Sequence, residues 1–291
     1  MKIAVLSRGR TLYSTRRIAE VGRKRKHDVR VIDPHKCMFG TDGAELIALH
    51  DGLDLSGFDV VIPRIGATTT PYGLALLRQF ELRGTPTINR SSAIQKSRDK
   101  FHTAQILAAA GVPTPRTLST REASCLPALV ERLGGPPVVV KMTSGTQGVG
   151  VIVSDTIEAA QSTVQAMWSL GQEITLQEFV IESRGRDLRV FVVDGQIVGA
   201  MRREAPTGEF RANLHQGGEG VAVELTEDLA AIAREAVEVV GLDVAGVDVL
   251  ESERGPLVLE VNSSPGLQGI ETVTGRDVAR DVIRCAERRT G

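Results

Sequence analysis

Short apolar runs alternate with amphipathic stretches over the first ninety residues of the chain. Short runs bounded by polar residues are typical of strands, whereas apolar positions three and four apart are typical of helices. This pattern predicts strands at residues 2–7, 27–32, 58–63 and 85–89 and helices at residues 15–24 and 72–83. Because strands that alternate with helices are typical of βαβ units, we predict a small parallel-sheet domain over residues 1–89.

The last two hundred residues combine helices with strands joined by tight turns. The pattern predicts helices at 91–110, 157–170, 226–241 and from residue 274 onward, and strands at 138–142, 150–154, 175–180, 187–193, 196–201, 244–250 and 256–262. Gly111, followed by two prolines, marks a helix end, and Asp194-Gly195 predicts a hairpin turn. We therefore predict an α/β fold in which the first domain is followed by two α+β lobes. The predicted units are residues 1–89, residues 90–180 with a linking helix and a glycine-rich loop, and residues 181–291.

Composition and charge exclude several classes of protein. The 291 residues are 42% hydrophobic and 24% charged with a formal net charge of −1, which fits a soluble globular protein without an overall signal for a polyanionic partner. The basic run at residues 23–26 is either a solvated helix end or a nucleic-acid patch, and we favour the helix end because positive charge stabilises a helix C-terminus. We therefore expect no direct nucleic-acid binding.

The cysteines and the apolar runs bear on location. Three cysteines without a CxxC pair argue against a disulfide framework or a zinc cluster and favour a reducing compartment. No apolar run approaches the length that spans a membrane. We expect a cytoplasmic protein that does not bind membranes.

A loop between two predicted strands carries glycines at 145, 148 and 150, shortly after Lys141. Glycines let consecutive N–H groups point at an anion, but here the lysine precedes the glycines, whereas a P-loop places it last. The loop is therefore either a hairpin turn without a ligand or a phosphate-binding hairpin of another kind. Lys141 ends an apolar strand and requires either an anion or a route to solvent.

Asp248, Glu260 and Asn262 interrupt two strongly apolar strands. Glu260 and Asn262 are two apart and share a face, and the turn between the strands sets Asp248 beside Glu260 in a plausible register. Two carboxylates and an amide oxygen are hard ligands that suit Mg²⁺ or Mn²⁺. The alternative is the polar face of an exposed sheet, for which we would expect more regular polar alternation.

Basic residues are concentrated between positions 186 and 211. They are Arg186, Arg189, Arg202, Arg203 and Arg211. Planar guanidinium groups suit carboxylate and phosphate ligands. The alternative is surface salt bridging with Glu204 and Glu209, which contributes little energy.

Taken in order, these features resemble the ATP-grasp superfamily and, within it, the RimK group of glutamate ligases. The resemblance covers essentially the whole chain. It rests on MKIAVLSR, VIPRIGATTTPYGLALLRQFE, RDKFHTAQILAAAGVPTP, VVVKMTSGTQGVGV, LQEFV, DLRVFVV, FRANLHQGG, DVAGVDVL and GPLVLEVNSSPGLQGIE. A long ordered series of this kind is more specific than any one motif, and it implies an ATP-grasp fold behind the N-terminal parallel-sheet domain.

The resemblance implies that ATP binds between the two lobes. It assigns phosphate contacts to Lys100 and Lys141, and a lid over the phosphates to Gly145, Thr146, Gln147, Gly148 and Gly150. It assigns adenine contacts to Glu178 and Phe179, and further nucleotide contacts to Asp187, Arg211, Ala212 and Asn213. It assigns two Mg²⁺ or Mn²⁺ ions to Asp248, Glu260 and Asn262, and catalytic roles to Lys141, Arg189 and Arg203, the arginines acting on phosphate or on the acceptor carboxylate.

The implied reaction is an ATP-dependent ligation of L-glutamate through an acyl phosphate. The implied acceptor is the C-terminal carboxylate of the sixth protein of the small ribosomal subunit, and poly-α-glutamate synthesis is implied as a further activity. A homo-oligomer, a tetramer by resemblance, is also implied. One alternative is a related ligase acting on a small molecule or a carrier protein. Another is a non-catalytic ATP-binding regulator, against which the intact set of Lys141, Asp248, Glu260 and Asn262 argues.

Overall fold

The computed structural model describes residues 1–66, 70–143, 150–206 and 219–290. Its strands are β1 (Lys2–Leu6), β2 (Asp28–Ile32), β3 (Cys37–Asp42), β4 (Glu45–His50), β5 (Leu53–Asp54), β6 (Val60–Pro63), β7 (Thr117–Leu118), β8 (Val138–Met142), β9 (Val151–Ser154), β10 (Ile174–Glu178), β11 (Arg186–Val193), β12 (Gln196–Glu204), β13 (Glu219–Ala222), β14 (Val244–Ser252) and β15 (Gly255–Asn262). Its helices are α1 (Tyr13–Lys24), α2 (Thr70–Leu82), α3 (Ser91–Arg98), α4 (Lys100–Ala109), α5 (Leu126–Arg132), α6 (Ile157–Ser169), α7 (Glu227–Val240), α8 (Leu267–Thr274) and α9 (Val278–Thr290). None of the helices in these ranges is long and apolar enough to cross a membrane.

The N-terminal domain contains the predicted parallel sheet. Its strand order is β2-β1-β6, and Ile3 of β1 pairs with Val29 on one side and Val60 on the other. The predicted strand at 85–89 is wrong, because only an isolated bridge joins Thr87 to Val61. Pro86 lacks the N–H group that a longer ladder would need at this edge.

A small antiparallel sheet of β3, β4 and β5 was not predicted from the sequence. Half of the positions of β3 are exposed, so the apolar alternation that marks a strand is weak there. Gln79 of α2 holds this sheet against the domain, since its Nε2 atom donates to the carbonyl oxygens of Gly40 and Ile47.

One predicted helix is divided in the structure, and another starts later than predicted. Asp99 is extended and interrupts the helix predicted at 91–110, and its carboxylate caps α4 by accepting a hydrogen bond of 2.9 Å from the N–H of His102. The last helix, predicted to begin near Thr274, begins at Val278 as α9, because α8 occupies the residues up to Thr274 and is capped by Gly275, whose φ of 68° is left-handed.

Two antiparallel sheets form the lobes. The first has the order β7-β10-β8-β9 and the second has the order β13-β12-β11-β14-β15. The predicted turn between β11 and β12 is confirmed, since Asp194 and Gly195 both have positive φ angles, as a two-residue hairpin turn requires. The second sheet and α9 share a core with β1 and α1, in which Phe191 and Ile283 pack in one cluster with Ile3 and Ile18.

An ion-pair network joins the two ends of the chain. The Glu287 carboxylate on α9 accepts hydrogen bonds of 2.8 and 2.7 Å from the Arg25 guanidinium and contacts His27 Nε2 at 2.7 Å. These contacts lower the pKa of Glu287 from 4.5 to about 2, with the hydrogen bond from Arg25 as the largest cause.

This lowered pKa predicts an acid-sensitive contribution to stability. Because the folded pKa lies below the unfolded value, the contribution is present above pH 4.5 and is lost as the pH falls toward 2. We expect Glu287→Gln to lower the free energy of unfolding at pH 7 by about 1–2 kcal/mol, a reduced figure because the side chain is partly solvated. Urea unfolding between pH 3 and pH 7 measures this difference, which should shrink with acidity. Glu238→Gln, on the exposed side of α7, is the control and should follow the wild-type profile.

Candidate active site

A cavity of about 650 Å³ lies where the N-terminal domain meets the two lobe sheets. The start of α1 and the residues after β6 form one wall. The last residues of α3 and the first residues of α4 line the cavity as well. Strands β8 and β10 come from the first lobe, and β11, β14 and β15 from the second. Pockets between structural units are a preferred place for ligands.

The first-lobe wall carries the predicted lysine. Lys141 lies on β8 and its Nζ atom donates to Gln177 Oε1 of the neighbouring strand at 2.5 Å. Lys100, the first residue of α4, lines the same cavity. The pKa of Lys141 is lowered to about 8. Burial is the largest cause, and the charge of Lys100 is the second. The structure therefore brings both predicted phosphate contacts together, and their role remains a prediction.

The opposite wall carries Asp248, Glu260 and Asn262. Asp248 of β14 pairs with Glu260 of β15, as the turn geometry predicts, and Asn262 lies two residues further along the same strand. Asn262 Nδ2 donates to Glu260 Oε1 at 2.9 Å. Asp248 is 2% exposed, whereas the Glu260 side chain is 34% exposed, so Glu260 presents the more accessible carboxylate to the cavity.

These three side chains fit a hard divalent cation. Asp248 Oδ1 accepts one guanidinium bond and Oδ2 accepts two, so one of its roughly four lone-pair positions is left. The Asn262 amide nitrogen is directed at Glu260, and its oxygen is the atom left for a cation. Within the described ranges no three His, Cys, Asp or Glu side chains gather into a metal cluster, and this set differs in using an amide as its third donor.

Two arginines of the second lobe form cross-strand ion pairs behind this wall. Arg189 pairs with Asp248 through bonds of 2.6 and 2.5 Å, and Arg203 pairs with Asp187 through two bonds of 2.6 Å. Arg203 Nη2 also lies 2.9 Å from Asp248 Oδ2. Each pair joins residues directly opposite each other in the sheet.

Burial and charge separate the two acids of this network. Burial raises the pKa of Asp248, but the guanidinium groups of Arg189 and Arg203 outweigh it and hold the pKa at about 2. Burial raises the pKa of Asp187 to about 6, and the Asp248 charge adds to the rise. The positive charges of both arginines are therefore balanced inside the protein. Their predicted action on phosphate or on an acceptor carboxylate remains a prediction.

The chain matches two family models in the order that this geometry suggests. Residues 1–94 match the RimK PreATP-grasp domain, and residues 97–286 match the RimK-like ATP-grasp domain. This chain belongs to the RimK-like ATP-grasp family. The predicted family and ATP-grasp fold are thereby confirmed, together with the small parallel-sheet domain at the N-terminus. The predicted three-way division of the chain remains a prediction.

Similar proteins extend the comparison along the whole chain. A probable alpha-L-glutamate ligase of Hydrogenovibrio crunogenus is 48% identical over 288 residues, which cover 99% of this chain and 96% of that protein. Another, of Syntrophotalea carbinolica, is 46% identical over 290 residues, covering 100% and 96%. Among solved structures, the ATP-grasp ligase PsnB complexed with minimal precursor, Mg and ADP superposes with a TM-score of 0.76 at 20% identity, covering 99% of this chain and 98% of that one. The last likeness shows the shared ATP-grasp fold.

The residues predicted to contact adenine, Glu178 and Phe179, lie at the end of β10. Glu178 and Phe179 both line the cavity. The Glu178 carboxylate accepts hydrogen bonds from the Arg116 backbone and side chain and from Arg254, and these lower its pKa although burial raises it. Adenine contacts by Glu178 and Phe179 remain a prediction. The Glu178 N–H already donates its hydrogen bond to the Arg116 carbonyl oxygen.

Several residues that the ATP-grasp resemblance singles out lie outside the described residues. They are Gly145, Thr146, Gln147 and Gly148 of the predicted lid, and Arg211, Ala212 and Asn213. Gly150 is described, at the residue before β9, with a φ of 74°. A side chain there would collide with Met142, so the position requires glycine for both its backbone angle and its space.

Two arginines of the cavity were not predicted. Arg64 follows β6 and Arg98 ends α3, and both are half-buried with atoms facing the cavity. Burial lowers the pKa of Arg64 to about 10, with the charge of Arg98 as the second cause, and burial also lowers the pKa of Arg98. A signal was present in the sequence, since Arg64 interrupts the apolar run VIPRIG and Arg98 precedes Lys100 in SRDK.

Proposed function

We propose that this protein is an ATP-dependent carboxylate–amine ligase that adds L-glutamate to an acceptor carboxylate. One observation carries the proposal: a single cavity places Lys100 and Lys141 on one side and Asp248, Glu260 and Asn262 on the other. Cations for a polyphosphate thus face hard donors for a divalent cation. The names of the two bacterial relatives, at 46% and 48% identity, support glutamate as the amine.

The proposed reaction has two steps. An acceptor carboxylate oxygen attacks the γ-phosphorus of ATP, the bond to the β-γ bridging oxygen breaks, and an acyl phosphate and ADP form. The amine of glutamate then attacks the acyl carbon, phosphate leaves, and the amine loses a proton, which yields an amide. Water must be excluded between the steps because it would hydrolyse the acyl phosphate.

The chain supplies fixed charge for both steps. Lys141 and Lys100 bind phosphate oxygens, and Arg189 and Arg203 keep Asp248 ionised and in place. Asp248, Glu260 and Asn262 would hold Mg²⁺ or Mn²⁺, as two ions, and the bound metal would supply positive charge to the phosphate oxygens. The choice of ion and the number of ions are part of this proposal.

The proposed acceptor is the C-terminal tail of the sixth protein of the small ribosomal subunit, extended by α-linked glutamates. Poly-α-glutamate synthesis is proposed as a second activity of the same site, and a homo-tetramer as the assembly. The relatives named as alpha-L-glutamate ligases support the α linkage. PsnB, which shares the fold, is complexed with a precursor peptide, so a peptide acceptor is compatible with this architecture.

The acceptor is tested by direct modification. Protein, ATP, Mg²⁺ and L-glutamate are incubated with the ribosomal tail peptide, with a carrier protein, or with a small carboxylic acid, and glutamyl additions are detected by mass spectrometry. We expect ADP release that depends on glutamate, and successive additions to the tail peptide. Modification of a small molecule or carrier alone would overturn the proposed acceptor, and the absence of glutamate-dependent ADP release with every acceptor would overturn the function.

The lowered pKa of Lys141 predicts a pH dependence of ATP binding. Below about pH 8 the ligand-free protein carries a charged ammonium at this position, and above it ATP binding must take up a proton. We expect the Kd for ATP to rise above pH 8 by up to about tenfold per pH unit. In Lys141→Arg this rise should disappear, because a guanidinium stays charged.

Isothermal titration calorimetry with ATP between pH 7 and pH 10 measures the effect, and the proton uptake follows from repeats in two buffers. Lys36→Arg, an exposed lysine of the N-terminal domain, is the matched control and should keep the wild-type slope. An unchanged slope in Lys141→Arg would show that Lys141 does not contact ATP.

A further inference from the structure

The charges around the cavity are not evenly compensated. In the second lobe, Arg189 and Arg203 each form bidentate pairs with aspartates. Arg64 of the N-terminal domain and Arg98 at the end of α3 line the same cavity, and in the part of the chain that the structure describes neither forms a salt bridge. Two poorly solvated cations therefore lack a salt-bridge partner, although the charge of Glu260 favours the charged form of Arg98.

The few contacts of this pair hold it in place without neutralising it. Arg64 Nη2 donates to the Pro265 carbonyl oxygen at 2.7 Å, and Arg98 Nη2 donates to the Ile65 carbonyl oxygen at 2.6 Å. Arg98 Nε is buried and has no hydrogen-bond partner among the described residues. The charge of Arg98 lowers the pKa of Arg64, so the two guanidinium groups are close enough to repel each other.

The backbone adds positive potential to the same wall. Leu12 to Thr15 line the cavity at the start of α1, and no side chain within the described ranges caps this helix end. The N-terminus of a helix carries a partial positive charge and N–H groups that need acceptors. Two guanidinium groups and one uncapped helix start therefore converge on a single region.

We infer that Arg64, Arg98 and the start of α1 form a binding subsite for a substrate carboxylate. The inference rests on the proposed function, in which both the acceptor and glutamate are carboxylic acids. Either must enter a cavity into which the partly exposed Glu260 carboxylate projects, and like charges repel. A cationic wall offsets this repulsion and fixes the substrate by bidentate hydrogen bonds.

The position of the pair favours a carboxylate over the phosphates of ATP. Lys100 and Lys141 supply cations beside the first-lobe strands, whereas Arg64 follows β6 of the N-terminal domain. A ligand on the Arg64 side can present its reacting group toward the middle of the cavity while its unreactive carboxylate stays on the wall. The source is either the acceptor or the incoming glutamate, and the two can be told apart by experiment.

The test compares Arg64→Gln and Arg98→Gln with the charge-preserving variants Arg64→Lys and Arg98→Lys. For each, KM is measured separately for ATP, L-glutamate and the tail peptide by glutamate-dependent ADP release. Equilibrium Kd values for glutamate and for the peptide are measured with a non-hydrolysable ATP analogue present. Arg30→Gln, which replaces an exposed arginine of the same domain, is the control. Thermal unfolding establishes that each variant is folded.

We expect each glutamine variant to raise the KM and Kd of one carboxylate substrate by about tenfold or more, with the KM for ATP within about twofold of wild type. The lysine variants should recover part of the loss. The substrate whose constants move identifies the source of the carboxylate. An equal rise in the KM for ATP, or wild-type constants for both carboxylates in folded glutamine variants, would overturn the subsite.

The Kd measurements test the subsite independently of the proposed function. If wild-type protein shows no glutamate-dependent ADP release, the proposed function fails. The Kd values then decide the subsite alone: weakened carboxylate binding in the glutamine variants supports it, and unchanged or undetectable binding in wild type overturns it.

Discussion

Glu260→Ala should reduce glutamate-dependent ADP release by about 10²-fold or more while the protein stays folded. Glu260 is the most accessible carboxylate of its set, and Asn262 is directed at it. Loss of one fixed contributor to transition-state charge typically has an effect of this size. Because Glu260 is partly exposed and its closest guanidinium nitrogen, on Arg189, lies 3.9 Å away, the fold does not depend on it strongly.

The matched control for this prediction is Glu251→Ala. Glu251 lies on the same hairpin, is exposed, and pairs at 3.3 Å with Arg202 at the surface. We expect wild-type ADP release from Glu251→Ala, measured by a coupled assay with saturating ATP and Mg²⁺. Normal turnover by a folded Glu260→Ala protein would contradict the assignment of Glu260 to the metal site.

Arg203→Ala should lower the free energy of unfolding by about 3–5 kcal/mol, the range for breaking a buried ion pair. Arg203 is 5% exposed and is the sole guanidinium that contacts both Asp187 and Asp248 among the described residues. Its removal leaves Asp187 buried without that partner. Part of the loss should be recovered in Arg203→Ala with Asp187→Asn, because the second change removes the stranded charge.

The adjacent residue provides the control. The Arg202 side chain is 38% exposed and, among the described residues, pairs with Glu251 at the surface, so Arg202→Ala should cost less than about 1 kcal/mol. Urea unfolding at pH 7 measures all three variants, and unchanged m-values would show that the same surface is exposed on unfolding. Equal midpoints for the Arg202 and Arg203 variants would show that the buried network does not stabilise the fold.

Local pattern predicts most of the elements, and it fails where tertiary context decides. The strand β1 is apolar from Ile3 to Leu6 because both faces of the parallel sheet are covered there. Residues 91–110 look like one helix, since Asp99 is compatible with a helix, and only its extended backbone and its cap to His102 reveal the break. Half of the positions of β3 are exposed, so the apolar periodicity of this segment does not predict a strand or its sheet.

In the candidate site, too, some features can be predicted from the sequence and others cannot. The register of Asp248 and Glu260 can be predicted because a short turn fixes which residues face each other. The partners of Arg189 and Arg203 depend on which strands neighbour β11. This strand order cannot be predicted from the spacing of the residues. Arg64 and Arg98 are more than thirty residues apart in the sequence, and only the folded structure shows that they line one cavity without a salt bridge to any described residue.

The packing of α9 against α1 has a consequence for the order in which the chain folds. Ile283 and Cys285, close to the C-terminus, are fully buried in the same core as Ile3 and Ile18. Synthesis proceeds from the N-terminus, and domains generally fold as units as they emerge. The N-terminal domain leaves the ribosome before α9 does, so the core that it shares with α9 stays open on one side until α9 is released.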